Sequence, residues 1–208
     1  MISCLPHRFV CFLAMRPCLL LALLLIAPLS AAAQGNQYAM IPVASIAAET
    51  AYQKTSAMYQ QLLRQPAVNS NRANWLKIAQ ELNRVYQQYP QSRAAPASLY
   101  LAAHLRISMY QRFRQPADQD QAVSLFHNVV SLYPQSGEAA NSLYSIAEIE
   151  QINGNLRGAA KNYYKLLQNY PASPRKKQAE QKLRQLTAIA KSLAARKGSR
   201  QSSSVVTA

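Results

Sequence analysis

The sequence predicts an all-α fold built from repeated helix hairpins, on three observations. Only 5 glycines occur in 208 residues, too few for the turns of a many-stranded sandwich or barrel or for a Gly-rich phosphate loop. Half the residues are hydrophobic, and alanine, glutamine, leucine and tyrosine dominate, a mix that favours helix and excludes disorder throughout. An apolar pattern with offsets of three and four residues recurs along the chain, each time ending in Tyr-Pro.

The first 33 residues read as an address rather than as structure. Arg8 and Arg16 are the only charges before Glu49. An uninterrupted apolar run over 18–27 ends at Pro28, and Ser30, Ala31, Ala32 and Ala33 supply small residues ahead of Gln34. That is the order of a secretory signal peptide, with cleavage expected after Ala33. The run is well short of the roughly 20 residues a membrane-spanning helix needs. Met15 with Arg16 and the same run would make a complete signal too, so Met1 and Met15 are both possible starts. Cys4, Cys11 and Cys18 all precede the expected cut, which leaves no disulfide, thiolate metal site or cysteine nucleophile in the mature chain. None follows the pattern of a lipoprotein signal, so no lipid anchor is expected. The expected location is the periplasm or the exterior, with a flexible stretch over 34–44.

From Gln34 onward, self-similarity organises the chain. Tyr89-Pro90-Gln91-Ser92 recurs as Tyr133-Pro134-Gln135-Ser136 and as Tyr170-Pro171-Ala172-Ser173, 44 and then 37 residues later. Upstream, Leu82, Val85 and Tyr89 align with Phe126, Val129 and Tyr133, and with Tyr163, Leu166 and Tyr170. This spacing puts each trio on one helix face. Ser98-Leu99-Tyr100 with Ala103 aligns with Ser142-Leu143-Tyr144 with Ala147, and an insertion around 112–118 accounts for the unequal period. Proline stops the helix that ends at tyrosine, and the serine two residues on is placed to cap the next helix. Gly154 between Asn153 and Asn155 marks a tight turn. Helices are therefore expected over 45–64, 74–88, 95–112, 120–132, 137–152, 156–169 and 174–196. A Ser-rich tail over 197–208 is expected to be disordered. In the last helix Ala179, Leu183, Leu186, Ala190 and Leu193 form one stripe.

These residues resemble the tetratricopeptide repeat family, over about 48–193. Ala147, Gly154, Ala159, Tyr163 and Pro171 meet its small and aromatic positions in one repeat; Ala103, Ala122, Phe126 and Pro134 fit in the preceding one. The first repeat departs from the pattern, with Ile78 and Leu82 at the usual Ala and aromatic positions. The Tyr-Pro-x-Ser ending looks like the subgroup found in bacterial envelope proteins. The start Asn74-Trp75-Leu76 also looks like the repeat region before the catalytic domain of some periplasmic N-acetylmuramoyl-L-alanine amidases. The resemblance implies a right-handed superhelical solenoid of about three hairpins over 45–196, with the last helix covering the final repeat. It implies a scaffold for protein–protein interaction in envelope assembly or peptidoglycan remodelling, or else the non-catalytic part of a cell-wall amidase.

No catalytic or metal constellation is legible. His104 and His127 fall in different helices with no Glu at ligand spacing, and Glu148 and Glu150 point apart on one helix. No enzyme activity and no cofactor are expected. In the family the first helix of each repeat lines a concave groove. Carried onto this sequence, that lining is Tyr100, His104 and Ile107, then Asn141, Tyr144, Glu148 and Gln151. Tyr100 and Tyr144 with amides nearby either hold a peptide or a glycan or pack between helices. Trp75 reads as core.

Positive charge crowds the end of the chain. Residues 175–200 hold nine basic side chains against Glu180 alone. Arg175, Lys176 and Lys177 open the last helix, where the backbone dipole already favours an anion. Either this is a solvated face, or it meets anionic lipid, lipopolysaccharide phosphate or peptidoglycan carboxylates. The expected partner is another envelope protein or peptide, with peptidoglycan or anionic lipid as further candidates and nucleic acid excluded by export. The oligomeric state is left open.

Overall fold

The computed structural model describes the backbone of residues 43–205 apart from 66, 67 and 69, and the side chains of 44–196 among them. The expected leader over 1–33, and residues 34–42, lie outside the described residues. The described residues form seven α-helices and no strand, and are all-α. They are α1 (Val43–Arg64), α2 (Arg72–Gln88), α3 (Ala94–Phe113), α4 (Pro116–Leu132), α5 (Gly137–Ile152), α6 (Leu156–Asn169) and α7 (Lys176–Val205). Each helix packs on the next in sequence; α1 also meets α3, and α3 also meets α5.

The Tyr-Pro punctuation builds the same turn three times. Tyr89, Tyr133 and Tyr170 close their helices at φ −131, −129 and −131°, with ψ 56, 54 and 59°. Each donates its backbone N–H to the carbonyl four residues back, on Val85, Val129 and Leu166. Each carbonyl then accepts from the serine N–H three residues on, at 2.9–3.0 Å. The serine side chains differ. Ser136 accepts from the Ala139 N–H at 3.2 Å as the expected cap, whereas Ser173 accepts from the Arg175 N–H at 3.2 Å within a turn ahead of α7, which starts at Lys176 rather than at the expected Pro174. Ser92 instead donates to the Tyr89 carbonyl at 2.7 Å. The reason is local: Arg93 is already helical at φ −64°, ψ −23°, so the serine stands one residue too far back to cap.

Two residues of each repeated trio are core, and the tyrosine that ends it is half-buried. Leu82, Val85, Phe126, Val129, Tyr163 and Leu166 are all buried, and each such side chain contributes roughly 1.5–3 kcal/mol on leaving water. Trp75 is buried as well, edge-on to Tyr59 at 6.1 Å and to Phe113 at 6.2 Å.

Three boundaries differ from the sequence expectation. α2 starts at Arg72 because Asn71 caps it, accepting from the Ala73 N–H at 2.9 Å. The insertion near 112–118 is mostly helix. α3 and α4 have 20 and 17 residues, where α5 and α6 have 16 and 14. Only Arg114, in the left-handed region at φ 56°, and Gln115 separate α3 from α4, and Pro116 fits the first helical position. The last helix runs on to Val205, through the stretch expected to be disordered, since no proline follows Pro174. Its expected apolar stripe covers α6 only in part. Ala179 and Leu186 are buried, whereas Leu193 is 53% exposed.

Candidate functional site

α3 and α5 lie side by side, and their shared face holds a cavity of about 370 Å³. Residues three and four apart on a helix share a face, which is how α3 brings His104, Ile107 and Gln111 to it. α5 brings Ser145, Glu148, Ile149 and Gln151 by the same spacing. Ile152 at the end of α5, Phe126 of α4 and Lys182 of α7 complete the lining.

Four of the seven residues expected in the groove therefore meet there: His104, Ile107, Glu148 and Gln151. Tyr100 stands behind them, its ring 4.5 Å from His104 and 5.6 Å from Phe126. Tyr144 is only 6% exposed and packs edge-on against Tyr163 at 5.4 Å, so it takes the between-helix alternative. Asn141 is turned to Arg175, accepting from its Nε at 3.3 Å.

Two polar atoms in this lining are buried without a hydrogen-bond partner: Nε2 of His104 and Oε1 of Gln151. Such atoms are rare in folded proteins because each forfeits its bonds to water. Burial lowers the His104 pKa, and the charge of Arg175 pushes it the same way. The imidazole is accordingly neutral at neutral pH, with one ring nitrogen a donor and the other an acceptor. Burial raises the Tyr100 hydroxyl's pKa as well.

The expected anion site is divided. The Arg175 guanidinium lies over the Tyr144 ring at 4.8 Å, and its Nη1 donates to Gln178 at 2.8 Å. The Ser173 side chain and carbonyl already take the N–H groups of Arg175 and Lys176. Lys176 and Lys177 are exposed.

Sequence reasoning missed a second charged cluster. Asp118, in the first turn of α4, is 1% exposed and accepts from both Nη atoms of Arg72, at 2.5 and 3.0 Å, and from Arg106 at 3.0 Å. Burial pushes its carboxyl pKa up, but the hydrogen bonds and charges of the two arginines outweigh burial and hold it below the usual range. The partners are 46 and 12 residues away, and no local pattern signals either. The cluster ties α2, α3 and α4 together.

Among the described residues no three His, Cys, Asp or Glu side chains gather as metal ligands, and no helix is long and apolar enough to cross a membrane. No protein-family model matches the chain, and no curated protein matches it.

Proposed function

We propose that the chain is an exported binding scaffold of the tetratricopeptide type. In this reading the hairpins stack as a right-handed superhelical solenoid, α7 caps the stack, and the groove between α3 and α5 holds a peptide segment of another cell-envelope protein. The protein acts by binding rather than by catalysis, in envelope assembly or peptidoglycan remodelling. The three matching Tyr-Pro turns support the repeat. The observation that carries the function is that two residues lining one cavity each carry a buried polar atom without a partner, His104 at Nε2 and Gln151 at Oε1. A peptide supplies the missing donors and acceptors along its backbone.

A photo-crosslinking residue at Gln111, which lines the cavity, tests this in intact cells against the same residue at exposed Lys165. Discrete adducts at Gln111 but not at Lys165 are expected in the periplasmic fraction. Equal labelling at both positions, or retention in the cytoplasm with an unprocessed N-terminus, overturns the reading.

The exposed Lys176 and Lys177, within a stretch of nine basic residues, favour a second reading as an anionic-surface binder. Cosedimentation with sacculi or anionic vesicles at low salt would then be lost in the Lys176→Glu/Lys177→Glu variant.

A further inference from the structure

Glu148 on α5 and Lys182 on α7 both line the 370 Å³ cavity, yet they form no ion pair with each other; the Glu148 carboxylate accepts a hydrogen bond from the Tyr144 hydroxyl, which leaves its charge unneutralised. Both are half-buried. One side of the cavity is therefore acidic and another basic. A charge left unmatched in a partly dry site costs free energy, and a ligand carrying the opposite charge recovers it.

The uncharged groups sort the same way. Gln151 is three residues from Glu148 on α5, so the two line the cavity from one helix face, and its Oε1 is an acceptor without a partner. Two acceptors together suit an ammonium, which carries three N–H donors. His104, neutral, offers Nε2 to an amide. Ile107 and Ile149 give the cavity apolar walls.

We propose that this cavity binds a short peptide segment bearing both an ammonium and a carboxylate, the ammonium at Glu148 and Gln151, the carboxylate at Lys182, and an apolar side chain between them. The proposal rests on the groove reading and specifies its ligand. A purely anionic ligand is opposed by Glu148, and a neutral glycan would leave both charges unmatched. The two charges come either from the termini of a peptide or from neighbouring side chains, and the same cavity chemistry serves both.

The test uses the full chain and four tripeptide probes, with affinity read by calorimetry and site occupancy by the imidazole ¹⁵N signals of His104. Free Ala-Leu-Ala carries its charges at the termini. Acetyl-Lys-Leu-Glu-amide carries them on side chains. Acetyl-Ala-Leu-Ala-amide carries none, and acetyl-Glu-Leu-Glu-amide is anionic only. At least one dipolar probe is expected to shift the His104 signals and to bind about tenfold more tightly than the neutral and anionic probes. Which dipolar probe wins identifies the source of the charges. Glu148→Gln and Lys182→Gln should each remove most of that advantage while the helical circular dichroism stays unchanged. Equal affinity for the neutral or anionic probe overturns the proposal, as does binding that ignores both substitutions or no binding of any probe at millimolar concentration. Crosslinking at Gln111 that persists after such a failure would leave the groove reading standing and remove only the dipolar ligand.

Discussion

The Tyr133 hydroxyl donates to the Pro90 carbonyl at 2.9 Å, joining one Tyr-Pro turn to the turn before it across 43 residues. The Tyr133 ring also meets Tyr86 edge-on at 6.4 Å. The tyrosine thus ends its own helix through its backbone and tethers the preceding hairpin through its side chain. Tyr133→Phe keeps the ring contact and removes the bond. A loss of about 1 kcal/mol is expected in urea unfolding, with an unchanged denaturant slope. No loss would mean that water replaces the bond at no cost.

Tyr163 is fully buried, and its hydroxyl has no hydrogen-bond partner. Burial pushes its pKa far up, and the charge of Glu148 adds to that. Tyr163→Phe removes an unsatisfied oxygen and keeps the ring against Tyr144. The variant should be as stable as the parent or more stable by about 1 kcal/mol, a direction opposite to that of Tyr133→Phe. Thermal unfolding of the two variants side by side checks the contrast.

Asp118 makes the fold acid-sensitive. Its folded pKa lies below the ordinary 3.8, so the unfolded chain takes up the proton first as pH falls. The stabilisation is complete above 3.8 and is lost progressively below it, until the folded carboxyl is protonated too. Asp118→Asn should flatten that part of the stability–pH curve. At neutral pH it should cost about 3 kcal/mol, the lower end for breaking a buried pair, because Arg72 and Arg106 keep some access to water.

His104 adds a second slope at higher pH. Its folded pKa lies below 6.5, so between that folded value and 6.5 the unfolded chain binds more protons and stability rises with pH. Arg175→Gln removes one of the two causes of the depression, and the imidazole titration followed by NMR should move upward. A midpoint that stays where it was would assign the whole depression to burial among Tyr100 and Phe126.

The parts of the fold legible in the sequence are those set by short-range rules. Proline after tyrosine stops a helix wherever it stands, and offsets of three and four choose the buried face, so the sequence alone places Phe126, Val129, Tyr163 and Leu166 in the core. Pro116 misleads for the opposite reason: it falls in the expected loop, although proline is also at home in a helix's first turn. Tyr100 and Tyr144 occupy equivalent positions in the repeat and still diverge. Each packs on the aligned aromatic ring of the following helix, Tyr100 on Phe126 and Tyr144 on Tyr163, but Tyr144 also lies under the guanidinium of Arg175, which arrives from 31 residues away, and is buried where Tyr100 stays half-buried. Asp118 was illegible for the same cause, since its bidentate partner sits on another hairpin. The cavity has a mixed origin. Helical spacing brought His104, Ile107, Glu148 and Gln151 to it, and only the path of α7 added Lys182.

The greater length of the α3–α4 hairpin over the α5–α6 hairpin has a geometric corollary. α3 exceeds α5 by four residues and α4 exceeds α6 by three, each close to the 3.6 of a single helical turn. An addition of that size raises a hairpin by about 5 Å without rotating its apolar side away from its neighbours. Height and phase are thus independent in this architecture. A rim can be heightened beside a binding surface in whole-turn steps, while every buried side chain keeps its bearing.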